Sequence, residues 1–332
     1  MEQLGLIADI GGTNARFALT PIRKVNADGT LTLSESDLIE PRALNGAGYP
    51  SIADAVEAYL SEVADQYGRP EHSIMAIACP TDQDQITMTN HFWSFSVKAL
   101  KAQLKLKSLS FINDYNAMAN AIPQLDDRGL VKIGRGQAIS GKPIAVTGPG
   151  TGLGLAALAF SDHGPVTLET EGGHTHFAPT NLDELEVLSF LLTRFERVSQ
   201  ERLISGQGLE NIYQALAHSE GKDLTMAAKE ISAAALAGAD ALSLRALSMF
   251  CAVFGSYAGD VALAIGAKGG VYITGGIIPR FIDFFKNSEF RSRFESKGRL
   301  SGFVESIPTY VVVSEQPGLL GAAAVLNRSV SE

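Results

Sequence analysis

Three stretches of this 332-residue chain set a carboxylate or hydroxyl beside glycines directly after an apolar run. In Leu6-Ile7-Ala8-Asp9-Ile10-Gly11-Gly12-Thr13-Asn14 the carboxylate of Asp9 stands inside an apolar strand, where it needs a cation or donors. The Gly11-Gly12 turn lets backbone N–H groups and the Thr13 hydroxyl approach phosphate oxygens, and Asp9 can hold the hydration shell of the Mg2+ that neutralises them. Alone, this segment reads equally well as a glycine hairpin with an Asp cap. A second turn, Thr147-Gly148-Pro149-Gly150-Thr151-Gly152, tips the balance, because two hydroxyl-plus-glycine loops suit a clamp on a nucleotide triphosphate. A third, Thr274-Gly275-Gly276, offers a flat approach for adenine or ribose. The candidate nucleotide-binding set is Ala8, Asp9, Ile10, Gly11, Gly12, Thr13 and Asn14, then Thr147, Gly148, Gly150, Thr151 and Gly152, then Gly275 and Gly276, for a nucleotide triphosphate with Mg2+ and with Asp9 as the metal residue.

Other chemistry is excluded. Gly136 to Lys142 matches seven positions of a P-loop, but Pro143 replaces the magnesium-binding hydroxyl, and the stretch leads into a strand instead of opening a helix. His174-Thr175-His176 on an extended segment points its two rings to opposite sides, which argues against a metal pair. Cys79 and Cys251 are too few for a disulfide framework or a thiolate cluster, and each sits in an apolar run that suits a buried thiol.

The elements that must position these groups can be read from periodicity. Leu4 to Ile10, Ile144 to Thr147 and Gly270 to Thr274 read as short buried strands delivered into glycine turns, with Phe111-Ile112 ending likewise in Asn113-Asp114. Ile52, Val56, Tyr59, Leu60 and Val63 recur on one helical face, as do Leu185, Leu188, Leu192 and Phe195 after a cap at Asn181 to Glu184. Ala117 to Ile122 is a further helix, and Asp223 to Ile265 is Ala-rich and helical throughout, with Gly238, Gly255 and Gly259 allowing breaks or close packing. Asp28-Gly29-Thr30 reads as a hairpin turn between Phe17-Ala18-Leu19 and Leu31-Thr32-Leu33, making the first sheet mixed. Alternation of strands and helices gives the α/β class. The length fits about two domains, with the change near Pro123 to Gly141.

Lys and Arg number 27 against 36 Asp and Glu, a formal charge of −9, so nucleic acid and anionic membrane surfaces are repelled. The N-terminus lacks a basic leader, and the apolar run around Cys251 is interrupted by Asp260 and Lys268 short of a membrane span, so a cytoplasmic protein without a membrane partner is expected.

The chain resembles the bacterial glucokinases of the non-ROK group, within the actin, hexokinase and heat-shock ATPase superfamily. The resemblance runs along essentially the whole chain: DIGGTNARFAL from Asp9, INDYNAMANAIP from Ile112, TGPGTGLG from Thr147, ETEGGHTHFAP from Glu169, ERLISGQGLENIY from Glu201, TGG from Thr274 and PGLLGAAA from Pro317. The ROK zinc cysteines are missing, and Gln207 stands where many relatives carry proline. The resemblance implies two α/β domains with ribonuclease-H-like cores, mixed sheets flanked by helices, hinged over a central cleft. The small domain would be residues 1–122 plus 316–332 and the large one residues 123–315, with the helix after Pro317 returning to the first.

By the same resemblance Asn113, Asp114, Glu171, His174 and Glu201 bind glucose, and Asp114 is the catalytic residue that contacts the attacking hydroxyl. Asn113 and Asp114 otherwise read as a helix cap, and Glu201 as a solvated helix residue. The inventory suits a hexose: carboxylates accept from vicinal hydroxyls, and an amide and an imidazole complete the set. The implied activity is transfer of the ATP γ-phosphoryl group to the 6-hydroxyl of D-glucose, the entry step of sugar catabolism, by a homodimer. Another hexose as substrate, or a non-catalytic sensor on the same fold, are the competing readings.

Overall fold

The computed structural model describes residues 3–26, 31–89, 91–162 and 164–331. The chain divides into two compact units: residues 1–129, 158–169 and 314–332, and residues 130–157 with 170–313.

In the first unit, β1 (Leu4–Ile10), β2 (Asn14–Pro21), β3 (Ile39–Asn45), β4 (His72–Ile77) and β7 (Ser108–Asn113) form a sheet in the order β3-β2-β1-β4-β7, while β5 (Gln85–Thr87) and β6 (Ser94–Ser96) pair separately. β1, β2 and β3 run antiparallel, and β4 and β7 continue from β1 in parallel. This is the mixed pattern expected of a ribonuclease-H-like core. Alternation along β1 puts Leu6, Ala8 and Ile10 against α1 (Ile52–Tyr67) and Ile7 against the opposite cluster, which includes Leu319 and Leu320. All five apolar positions that define the face of α1 are buried, and Ser51 caps it by accepting the Asp54 N–H. α2 (Val97–Gln103), α3 (Asp114–Ala121) and, from the end of the chain, α11 (Pro317–Ser331) complete the unit. Gly5 is required because Leu326 of α11 fills the space of a side chain, and a Cβ would lie 2.3 Å from its Cδ2.

The second sheet has the order β11-β10-β9-β12-β13-β8, from β8 (Leu130–Ile133), β9 (Ile144–Pro149), β10 (Leu153–Ser161), β11 (Gly164–Thr170), β12 (Gly270–Ile273) and β13 (Thr309–Val312). α4 (Leu182–Leu192), α5 (Gly206–Ser219), α6 (Ala228–Leu236), α7 (Ala241–Ile265), α8 (Ile282–Asn287), α9 (Phe290–Glu295) and α10 (Ser301–Glu305) accompany it. α7 is the core helix. Its Gly255 and Gly259 meet the backbone of α9, where added Cβ atoms would stand 2.1 Å from the Phe290 carbonyl oxygen and 2.4 Å from that of Phe294. Gly266, at φ 68°, ends it in the left-handed conformation.

Several expectations are corrected. The return strand for β2 is Ile39–Asn45, not Leu31 to Leu33, which is irregular; the turn at Asp28-Gly29-Thr30 lies outside the described residues. Asp223 to Ile265 is helical only from Ala228, since residues 223–227 are irregular, and it breaks between α6 and α7 at residues 237–240, around Gly238, where the sequence allows a break. α4 buries Glu184, Val187 and Leu191, leaving Leu185 and Leu192 exposed, and the buried Glu184 carboxylate is paired with Arg293 at 2.7 Å. At 25 residues α7 spans about 37 Å, long and apolar enough to cross a membrane, but most of it is buried within its own unit. The unit boundaries also differ from 122/123 and 315/316. Residues 123–129, 314–315 and the hairpin segment 158–169 group with the first unit, where Asn120 donates to the Thr167 hydroxyl and Asn116 to the Glu169 carboxylate.

Candidate active site

Asn113 is the last residue of β7 and the N-cap of α3; its Oδ1 accepts the Tyr115 N–H at 2.9 Å, as does Asp114 Oδ1. The helix thus starts three residues earlier than its apolar pattern indicates, and the capping role read for Asn113 is real. Both side chains are half-buried at the head of a helix, where the backbone dipole favours a carboxylate. The charge of Asp114 reaches Cys79, whose thiol is pushed up by burial and then by that carboxylate, so Cys79 is protonated and inert.

On the other face of the same sheet from α1, Asp9 points toward α11, so close that a Cβ at Gly318 would stand 2.7 Å from its carboxylate. Burial pushes the Asp9 carboxyl up, and Arg16, its cross-strand neighbour, offsets this only partly from 3.4 Å. Arg16 is a cationic candidate absent from the residues read from the sequence; its place two residues after the turn, directly opposite Asp9, is the signal that points to it. Gly12, Thr13 and Asn14 are exposed at the turn, whereas the side chains of Ala8 and Ile10 are fully buried in the core, leaving only their backbone to serve a ligand.

In the second unit the two other glycine turns touch. The Thr274 N–H donates to the Thr147 carbonyl at 2.9 Å, and a Cβ on Gly148 would lie 1.9 Å from the Thr274 oxygen. Gly148 is therefore a packing glycine. The Thr147 hydroxyl is buried and donates to the Gly154 carbonyl at 2.7 Å, so it is engaged in holding the turn and does not face a phosphate. The exposed part of the turn is Thr151, with Gly150 and Gly152 half-buried, and a Cβ at Gly150 or Gly276 would meet nothing within 4 Å.

Glu171, His174 and Glu201 come together beside this turn. Gly173 packs so tightly on the start of β10 that a Cβ would stand 1.9 Å from the Leu153 oxygen. That contact brings His174 Nε2 to 4.0 Å from both Glu171 Oε2 and Glu201 Oε2. Glu201 lies in the 3-10 turn Gln200–Arg202 and is the least exposed of the three side chains. His174 is half-exposed in another 3-10 turn, and among the described residues no group of three metal-ligating side chains occurs.

Open glycine turns beside carboxylates, on mixed α/β sheets of ribonuclease-H type, define a sugar kinase of the actin/hexokinase class. Comparison with known proteins makes this specific. The glucokinase of Colwellia psychrerythraea is 48% identical over 98% of this chain and 97% of its own length, and that of Salmonella arizonae 42% over 99% of both. The crystal structure of a glucokinase from an Antarctic psychrotroph superposes with a TM-score of 0.87 at 36% identity, covering 98% of this chain and 99% of that one. The glucokinase family profile matches residues 6–329, and the chain belongs to the glucokinase family.

Proposed function

We propose that the protein transfers the γ-phosphoryl group of ATP to the 6-hydroxyl of D-glucose, giving glucose 6-phosphate and ADP. The observation that carries the reading is the full-length glucokinase match, on a chain that keeps an acceptor-rich cluster, Glu171, His174 and Glu201, next to an open glycine turn.

Asp114 orients the 6-hydroxyl and takes its proton as the oxygen–phosphorus bond forms and the bond to the β-phosphate oxygen breaks. A loose transition state demands positioning and charge neutralisation more than a strong base, so a carboxylate suffices. Asn113, Glu171, His174 and Glu201 bind the other hydroxyls of the same sugar. Backbone N–H groups of Gly12 and Thr13, and of Thr151 and Gly152, receive the phosphates, while those of Gly11 and Gly150 close their own turns on the Asn14 and Gly152 carbonyls. Asp9 fits a magnesium site, being a half-buried carboxylate with one distant cation for company. Magnesium bound with ATP supplies neutralisation of the phosphate charge. Arg16, released from Asp9, adds a second positive charge where the loops hold no lysine.

The reaction is placed in the cytoplasm, where ATP is abundant and both thiols stay reduced, and the assembly is a homodimer. The deciding experiment follows ADP release against a panel of hexoses with magnesium and ATP. Glucose should give the highest kcat/KM, and no turnover with any hexose would leave a binding protein in place of an enzyme.

A further inference from the structure

We propose that Glu201 is a positioning residue for the nucleotide loop as well as a sugar ligand, so that each substrate depends on a side chain the other needs. The inference rests on the assignment of Glu201 to glucose and of the Gly150–Gly152 turn to ATP.

Glu201 Oε2 accepts the Leu153 N–H at 2.9 Å, closing the end of the second glycine turn. The same oxygen lies where a Gly152 side chain would stand, 2.5 Å from an added Cβ. The rest of the 201–206 segment holds the turn too. The Gly206 N–H donates to the Gly150 carbonyl at 3.0 Å, the Gly150 N–H to the Gly152 carbonyl at 2.8 Å, and the Ser205 hydroxyl fixes the Glu201 carbonyl at 2.8 Å. His174 Nε2 stands 4.0 Å from that Oε2, so the carboxylate bridges the sugar cluster and the loop.

A carboxylate has two oxygens, and with Oε2 engaged by the loop backbone, Oε1 remains for a sugar hydroxyl. Fixing Oε1 on a hydroxyl restricts the whole side chain. The loop end it holds is then ordered before the nucleotide arrives, and the nucleotide binds a turn whose ordering entropy has already been spent. Linkage makes the effect reciprocal: bound nucleotide raises glucose affinity by the same factor.

The test is calorimetric titration of glucose and of a non-hydrolysable ATP analogue with magnesium, each alone and with the other at saturation. Glu171→Ala serves as control and should weaken glucose only. Glu201→Ala should weaken both, the nucleotide about tenfold, and should abolish the mutual enhancement. Glu201→Gln keeps a carbonyl acceptor for the Leu153 N–H and should return nucleotide affinity to within about twofold of wild type while glucose stays weak. Gly152→Ala removes no sugar ligand, yet its Cβ displaces the carboxylate, a flexible side-chain end, and glucose affinity should fall by about tenfold. Wild-type nucleotide affinity in Glu201→Ala, with glucose weakened, would overturn the positioning role and leave the sugar assignment standing. Unchanged glucose affinity in Glu201→Ala would remove the sugar assignment and with it the sharing of one side chain by the two substrates. Should Glu201→Ala not fold, Gly152→Ala decides alone, and wild-type glucose binding in it would refute the shared role.

Discussion

Two aspartates carry opposite costs. Asp114 sits at a helix head, where the backbone dipole favours a carboxylate, so its removal should be felt in chemistry more than in folding. Asp114→Asn should lose about 10²-fold or more in kcat while still binding glucose, because the amide keeps the shape but takes no proton. Steady-state assays with a direct glucose titration check this, and near-normal turnover would remove Asp114 from the mechanism. Asp9 is the reverse case. Burial pushes its carboxyl up in the folded chain, so at low pH, where it is protonated in both states, it costs nothing, and stability is lost as pH rises through the folded pKa. Asp9→Asn should therefore gain on the wild type in Tm as pH rises above the ordinary aspartate value of 3.8, by on the order of 2 °C, while losing magnesium-dependent nucleotide affinity. A Tm difference that shrinks with rising pH would mean that the Arg16 pair outweighs the burial.

At the scale of elements, one turn contains glycines with different tasks. Gly148 faces the Thr274 backbone, so Gly148→Ala forces two main chains apart and should cost about 1–3 kcal/mol of stability, whereas Gly150 opens on empty space. Gly150→Val should leave the melting temperature near wild type and raise KM for ATP far more than that for glucose, since the β-branched group enters the space assigned to phosphates. Thermal melts with paired KM measurements separate the two; a Gly150→Val enzyme with both constants unchanged would put the phosphates elsewhere. The sequence could not tell these glycines apart, because both follow one strand and the distinction lies in a turn some 125 residues away. The same limit explains α4, whose leucine spacing announces a helix but not which face is buried, since the partner of its buried Glu184 is Arg293 on α9, more than one hundred residues away. By contrast β1 could be read to its last residue: an apolar run ending in a glycine pair leaves little freedom in where the strand stops.

At the scale of the whole molecule, the proposed sugar ligands are split between two units with separate cores, Asn113 and Asp114 on one and Glu171, His174 and Glu201 on the other. A ligand that binds only the folded state stabilises whatever it touches by mass action, about 2.7 kcal/mol at one hundred times Kd. If all five residues hold one glucose, that protection must appear in both units and with one dissociation constant. Hydrogen exchange on the full chain, titrated with glucose, should slow amides in residues 113–121 of the first unit and in residues 171–175 and 200–204 of the second, along superimposable saturation curves. Asp114→Asn should keep the curves together, whereas Glu171→Ala should shift all three segments to higher glucose, because weakening one ligand of a shared sugar weakens the sugar for every segment that senses it. Protection confined to one unit, or two different midpoints, would mean that the five residues do not serve a single sugar.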